Sequence, residues 1–352
     1  MEEKSMMITR RQTIATMASG FSGLLGPDQS SAASPTDFSG KTLRMLVGTG
    51  PGAAYDLIAR LVLEYLMKTL PGQPKGQVEH IVGAGSLVMA NYLGARAVRD
   101  GTVMGLPLNS IILEPSLKLL SRGGGAVQFN IDALNWLGSP CEIPPVFFVM
   151  NDTPFQTFDD IRSKTIIVGA SQPGADNYIL SLMSQRLLGG KLSIVPGYTG
   201  ANDIFLAAER GEIQGGCTAY STIVVGRPDW IKSGRVRIIA QYGAKRISTL
   251  PNAPTGIELA DDTVTKKMFE VLSAKFKAAY PFMLPPNVPA PTMDTLRRAF
   301  DATMTNPDFT SSIQKFGVET TPTSGSDILK LVKEANAAPK NVIDALRNAI
   351  EL

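Results

Sequence analysis

The side chains that could do chemistry are few. His80 is the only histidine in 352 residues, so a Ser-His-Asp triad would have to use it, and a multi-histidine metal centre is excluded. It stands at a strand end, where a structural role outweighs a catalytic one. Cys141 and Cys217 lack metal-ligand spacing and are too few for a disulfide framework. They read as buried small residues, although export would permit them to pair. Ser171 lies in G-A-S-Q-P, which lacks the last glycine of a nucleophile elbow, so it reads as a hydrogen-bonding loop residue. The carboxylates show no close pairing of the acid/base kind, and no Walker-type phosphate loop occurs. No catalytic residue, cofactor or metal site is expected. Trp136 and Trp230 fit either core or pocket.

One glycine-rich device remains. Gly48-Thr49-Gly50-Pro51-Gly52-Ala53 satisfies G-x-G-x-x-A between a strand and a helix, and Glu79 closes the next strand. That is the pattern of a dinucleotide site, in which glycines admit the pyrophosphate and an acid holds the ribose. Pro51, however, removes one N–H that a phosphate would use. Two readings stand: an exported NAD(P)-dependent oxidoreductase built on residues 48–53, or a binding protein that needs donors and closure but no nucleophile.

These loops need a scaffold, and the chain supplies strands alternating with helices. Strands are expected over 43–47, 77–82, 103–108, 146–150, 165–168, 193–195, 213–217 and 236–240. Helices are expected around 58–66, 86–98, 158–162, 177–188, 202–210, 292–303 and 327–335. The pattern indicates an α/β fold with βαβ units. Two strand–glycine loop–helix units, about 120 residues apart, suggest two similar lobes. The length fits two domains, and a chain 44% apolar and 18% charged can bury a sizeable core. Disorder and a coiled coil are ruled out for the whole. Lys+Arg is 34 against Asp+Glu 31, a net charge of +3 without a basic run, which argues against nucleic acid.

Residues 1–35 read as an address. Arg10-Arg11 precede a short, weakly apolar run and then a small, polar stretch, the pattern of a twin-arginine-like secretory signal. The run is too short and too rich in Ser, Thr and Gly to span a membrane. Cleavage is expected a little after Ala33. It removes Lys4, Arg10 and Arg11 with Glu2, Glu3 and Asp28, so the charge stays +3. The mature chain is expected to be soluble, periplasmic and not inserted in a membrane.

Ordered segments then resemble one family, the extracytoplasmic solute receptors of tripartite tricarboxylate transporters, also called the Bug family. L-V-G-T-G-P-G-A-A-Y-D at 46–56, followed by Ala59-Arg60, is similar to its V-P-F-x-P-G-G-x-x-D-x-x-A-R segment. Gly83-Ala84-Gly85 with Asp100-Gly101-Thr102, the loop 169–174, and the stretch 195–200 resemble later segments in the right order. So do Lys245-Arg246 with L-P-N-A-P-T at 250–255, Pro289-Ala290-Pro291, N-P-D-F at 306–309 and F-G-V-E at 316–319. The resemblance implies a two-lobed, type II-like periplasmic-binding-protein fold. Each lobe would be a mostly parallel sheet flanked by helices, joined by crossover strands near 139–146 and 250–257, each to within about ten residues. Lobe 1 would hold 36–142 plus 254–352, and lobe 2 would hold 143–253.

It also implies a monomer that closes on a small organic anion, a carboxylate, and delivers it to membrane permease subunits without catalysis. Carried over by position, the ligand-binding residues are Thr49, Gly50, Pro51, Gly52 and Ala53 of the first loop. Ser171, Gln172, Gly174, Ala175 and Asp176 form the second, and Ser86 and Tyr198 line the mouth. Thr49 replaces the usual Phe, Ala53 a Gly, Gln172 a Gly, Ala175 a Ser or Thr, and Gln214 an Asp. These departures point away from a simple dicarboxylate.

Overall fold

Leu43, Met45, Leu46 and Val47 are fully buried and form most of β1 (Thr42–Val47). The turn after it opens α1 (Ala54–Thr69), which buries Ile58, Ala59, Val62, Leu63 and Leu66 along one stripe and carries Asp56 in its first turn. The structure, a computed structural model, describes residues 35–118, 121, 125–172 and 175–350. The expected export segment and Gly174 lie outside the described residues. The chain continues through β2 (Lys75–His80), α2 (Leu87–Ala95), β3 (Val103–Leu106), α3 (Glu114–Leu117) and β4 (Asn135–Ser139).

Next come β5 (Pro145–Met150), α4 (Phe158–Ser163), β6 (Ile166–Gly169), α5 (Asp176–Arg186) and β7 (Leu192–Val195). They are followed by α6 (Ala201–Glu209), β8 (Gly215–Ala219), α7 (Tyr220–Gly226), α8 (Pro228–Lys232) and β9 (Val236–Gln241). The last third contains α9 (Gly256–Leu259), α10 (Thr263–Lys277), β10 (Phe282–Leu284), α11 (Ala290–Met304) and α12 (Pro307–Gln314). It ends with β11 (Thr323–Ser324), α13 (Gly325–Asn336) and α14 (Lys340–Ile350).

The strands form two sheets, ordered β11-β4-β10-β3-β1-β2 and β7-β6-β8-β5-β9. Both are mixed rather than mostly parallel. β1 pairs in parallel with β2 and β3, whereas β10 runs antiparallel to β3 and β4, and β11 antiparallel to β4. In the second sheet β6 is parallel to β7 and β8, while β5 is antiparallel to β8 and β9. β5 and β10 each enter their sheet just after the chain has passed from the other, so no βαβ crossover sets their direction.

Three apolar clusters hold the layers. One joins β1 to α1, α11 and α12 through Val47, Leu66, Leu296 and Phe309. A second lies under α6 and α8, where Phe148, Phe205 and Trp230 meet with ring centroids 5.0–5.9 Å apart. The third is continuous from Leu46 and Trp136 through Phe147 and Leu180 to α10, α13 and α14. Both tryptophans are thus core residues, and Cys141 and Cys217 are buried free thiols. Burial pushes the Cys217 thiol up to about 12, so it stays protonated at neutral pH.

The first passage between sheets falls at 140–144, which runs beside the end of α10 (Ile143 N–H to Phe276 O, 3.1 Å; Ala279 N–H to Cys141 O, 3.3 Å). The second expected crossing, 250–257, is instead fastened to the second sheet. The Gln241 amide donates to Leu250 O at 3.0 Å and Ala253 O at 2.7 Å. The return is made by α10, whose Phe269 stacks on Tyr242 while the Lys275 carbonyl accepts from Asn109 Nδ2 at 3.0 Å.

Candidate functional site

The parallel strands β1 and β6 each end in a loop that feeds a helix, α1 and α5. Both helix N-termini open on one cavity of about 620 Å³ between the two sheets. Ligands in open α/β sheets lie at such strand ends. The N-terminal N–H groups of a helix have no partner within it, and a Ser, Thr, Asp or Asn cap ordinarily satisfies one of them. Here α1 starts behind Ala53, α5 behind Ala175 and the short α7 behind Ala219, none of which caps through its side chain. Elsewhere Thr157, Thr255, Asp262, Asn306 and Ser324 do cap their helices, while α2, α6, α8 and α11 also start without a side-chain cap. The helices that face the cavity therefore leave their donors open to it.

The cavity walls are largely apolar, with Leu57, Ile143, Leu180, Phe276 and Phe316 among them. Tyr55 also lines it. Its hydroxyl donates to Ala279 O at 2.9 Å and accepts from Asn109 N–H at 3.1 Å, which ties α1 to the segments that follow α10 and β3. Burial raises the phenol's pKa, so it remains a neutral donor. Asp176, at the start of α5, takes Lys275 Nζ at 2.6 Å; the lysine is buried and the aspartate half exposed.

The first loop is positioned from behind. Asp56 Oδ2 accepts from Gly52 N–H at 2.9 Å, and its Oδ1 meets His80 Nε2 at 2.8 Å and Arg60 Nε at 3.0 Å. Burial raises the Asp56 pKa, but these hydrogen bonds outweigh burial and bring it to about 2. His80 is thus a structural partner of the loop. Glu79, the acid of the dinucleotide pattern, is engaged by Arg44 through two bonds of 2.7 and 2.6 Å, which also lower its pKa. Among the described residues no group of three or more His, Cys, Asp or Glu could hold a metal ion.

The expected site residues fall into two groups. Ala175 and Asp176 line the cavity, whereas Thr49, Gly50, Pro51, Gly52 and Ala53 stand just before its lining residues Ala54 and Tyr55. The Thr49 hydroxyl is buried without a partner. Ser171 bonds Asn177 through its N–H at 3.2 Å and its hydroxyl at 3.0 Å, and Gln172 is exposed. Ser86 does not line the mouth. It is fully buried, its hydroxyl donating to Gly48 O at 3.1 Å and accepting from Leu108 N–H at 3.0 Å. Tyr198 likewise lies outside the cavity lining, packed against the cluster under α6. Sequence reasoning missed Tyr55, Asn109, Lys275 and Tyr280, the last lining the cavity with its ring centroid 4.8 Å from that of Tyr55. Only Lys275 left a signal, a charge in register with the apolar stripe Met268, Val271 and Leu272.

Comparison with known proteins identifies the family and the fold. A family model described as "Tripartite tricarboxylate transporter family receptor" matches residues 58–348. Protein BugT of Bordetella pertussis is 21% identical over 277 residues, covering 77% of this chain and 80% of its own. A TctC solute binding protein from Polaromonas superposes with a TM-score of 0.65 at 15% identity, covering 86% of this chain and 98% of its own. MatC from Rhodopseudomonas palustris with bound malate superposes at 0.58 and 18% identity, covering 88% and 99%.

Proposed function

We propose that this chain, which belongs to the tripartite tricarboxylate transporter receptor family, captures a small organic anion, a carboxylate, between its two sheets and delivers it to membrane permease subunits. Family members are solute-binding receptors, not enzymes, and they work in the periplasm. The observation that carries the reading is the pair of uncapped helix N-termini, α1 and α5, facing one cavity from two sheets. Each offers N–H donors to that cavity. Closing the two sheets over a bound anion excludes water and strengthens the donors that reach it. The ligand thereby favours the closed arrangement through contacts that the open one lacks.

On this reading the two sheets belong to two lobes, the second running from 143 past 253 to Thr255, which bridges Gln241, and the chain acts as a monomer. The twin-arginine-like segment is removed on export. Among the described residues no helix is long and apolar enough to cross a membrane. The engaged carboxylate of Glu79 disfavours the oxidoreductase alternative.

A thermal-shift screen against organic acids, with native mass spectrometry of the purified protein, tests the proposal. A ligand at 100 times its Kd should stabilise the protein by about 2.7 kcal/mol. A co-purified dinucleotide, with no response to any carboxylate, would overturn it. N-terminal sequencing of the periplasmic fraction should find the chain starting a little after Ala33. Intact Met1 in the cytoplasmic fraction as the main species would refute export.

A further inference from the structure

Among the described residues lining the cavity, Asp176 has the one charged side chain. It sits in the first turn of α5, where a ligand's second carboxylate would have to dock. Its charge is met from behind by Lys275, whose side chain is 2% exposed and whose Nζ also lies 4.9 Å from the Phe276 ring centroid. The lysine is therefore closed off from the cavity, and the surface it presents there is the carboxylate. A second anionic group at this end would meet a like charge close by without reaching the buried cation. The α1 end differs. Its first-turn acid, Asp56, is buried and turned onto Gly52, Arg60 and His80, so the N-terminus beside Ala54 and Tyr55 is free of negative charge toward the cavity.

The space between these ends is apolar and wide. A cavity of about 620 Å³ lined by Leu57, Leu180, Val225, Phe276 and Phe316 exceeds what a four-carbon acid fills and lies in the range of drug-sized ligands. A short diacid would leave those walls in contact with water. A ring or branched chain would cover them, at roughly 25 cal/mol for each Å² withdrawn from water.

We propose that the cleft takes a monocarboxylate with a bulky apolar body, its one anionic group at the α1 end, and rejects short dicarboxylates through Asp176. This rests on the receptor reading above and narrows it.

Titration calorimetry on the full mature chain tests it, with 4-phenylbutyrate as the monocarboxylate probe and malate and succinate as diacids. The phenyl acid should bind at least about tenfold more tightly than either diacid. Asp176→Asn removes the like charge, leaves the lysine's charge unbalanced behind it, and should shift the preference toward malate by a similar factor. Should that variant fail to fold, Asp176→Asn combined with Lys275→Gln removes both charges. The ratio of malate affinity to 4-phenylbutyrate affinity should then rise. Malate or succinate binding as tightly as 4-phenylbutyrate to the wild type would overturn this inference and leave the receptor standing. Binding of none of the three, with no response across the wider acid screen, would overturn the receptor itself.

Discussion

His80 Nε2 lies 2.8 Å from Asp56 Oδ1, and the other oxygen of the same carboxylate holds the Gly52 N–H at 2.9 Å. The one imidazole of the chain thus steadies the acid that shapes the first loop. The Asp56 carboxyl is held at about 2, below its usual 3.8. A depressed acid stabilises the fold at pH values above its unfolded pKa, and the contribution fades as pH falls through the folded one. Wild type and Asp56→Asn should therefore differ by about 1–2 kcal/mol in urea unfolding at pH 6 and converge toward pH 2. A constant difference across that range would contradict the assignment.

Gly52 and Gly50 should separate. Gly52 has φ +78°, a left-handed conformation that costs a side-chain-bearing residue about 1–2 kcal/mol. A Cβ on Gly50 meets nothing within 4 Å, and its φ is not positive. Gly52→Val should thus lower the melting temperature and weaken binding. Gly50→Val should melt within about 0.5 kcal/mol of wild type, so any loss of affinity reports ligand contact at that loop.

Ser86→Ala should act on stability rather than affinity. Its hydroxyl serves both Gly48 O and Leu108 N–H in a fully buried place, and removing it should cost about 1–3 kcal/mol. Equal melting temperatures, or a selective loss of binding with stability intact, would show that Ser86 faces ligand after all.

Tyr55→Phe removes the donor to Ala279 O and the acceptor for Asn109 N–H. Denaturation should show a loss of about 1–3 kcal/mol. Because α1 then loses its tie to the segments that follow α10 and β3, calorimetry should show weaker binding as well.

Much of the fold is legible in the residues. The apolar runs that became β1, β5 and β6, each bounded by glycine or turn residues, announce strands, and Ile58, Val62 and Leu66 announce a helix. What escapes such reading is short or interrupted. β10 has three residues and β11 two, too few for a period to register, and they are the strands that make the first sheet mixed. The α10 stripe is broken by Lys275, whose charge is tolerated there only because Asp176 reaches it from a segment 99 residues away. The site shows the same limit. Its glycine loops are local and readable, but Tyr55, Asn109, Lys275 and Tyr280 meet through tertiary folding, and no spacing in the chain connects them.

The alanines at 53 and 175 bear on how such a protein should be engineered. A stability-guided redesign would replace them with Ser or Asp, for a gain of about 1 kcal/mol at each helix start. Each replacement would also install a tethered competitor, an oxygen at very high local concentration beside the donors that the solute must reach. Thermostability and capture would then move in opposite directions. Selection on melting temperature alone would drive the receptor toward a form that binds itself.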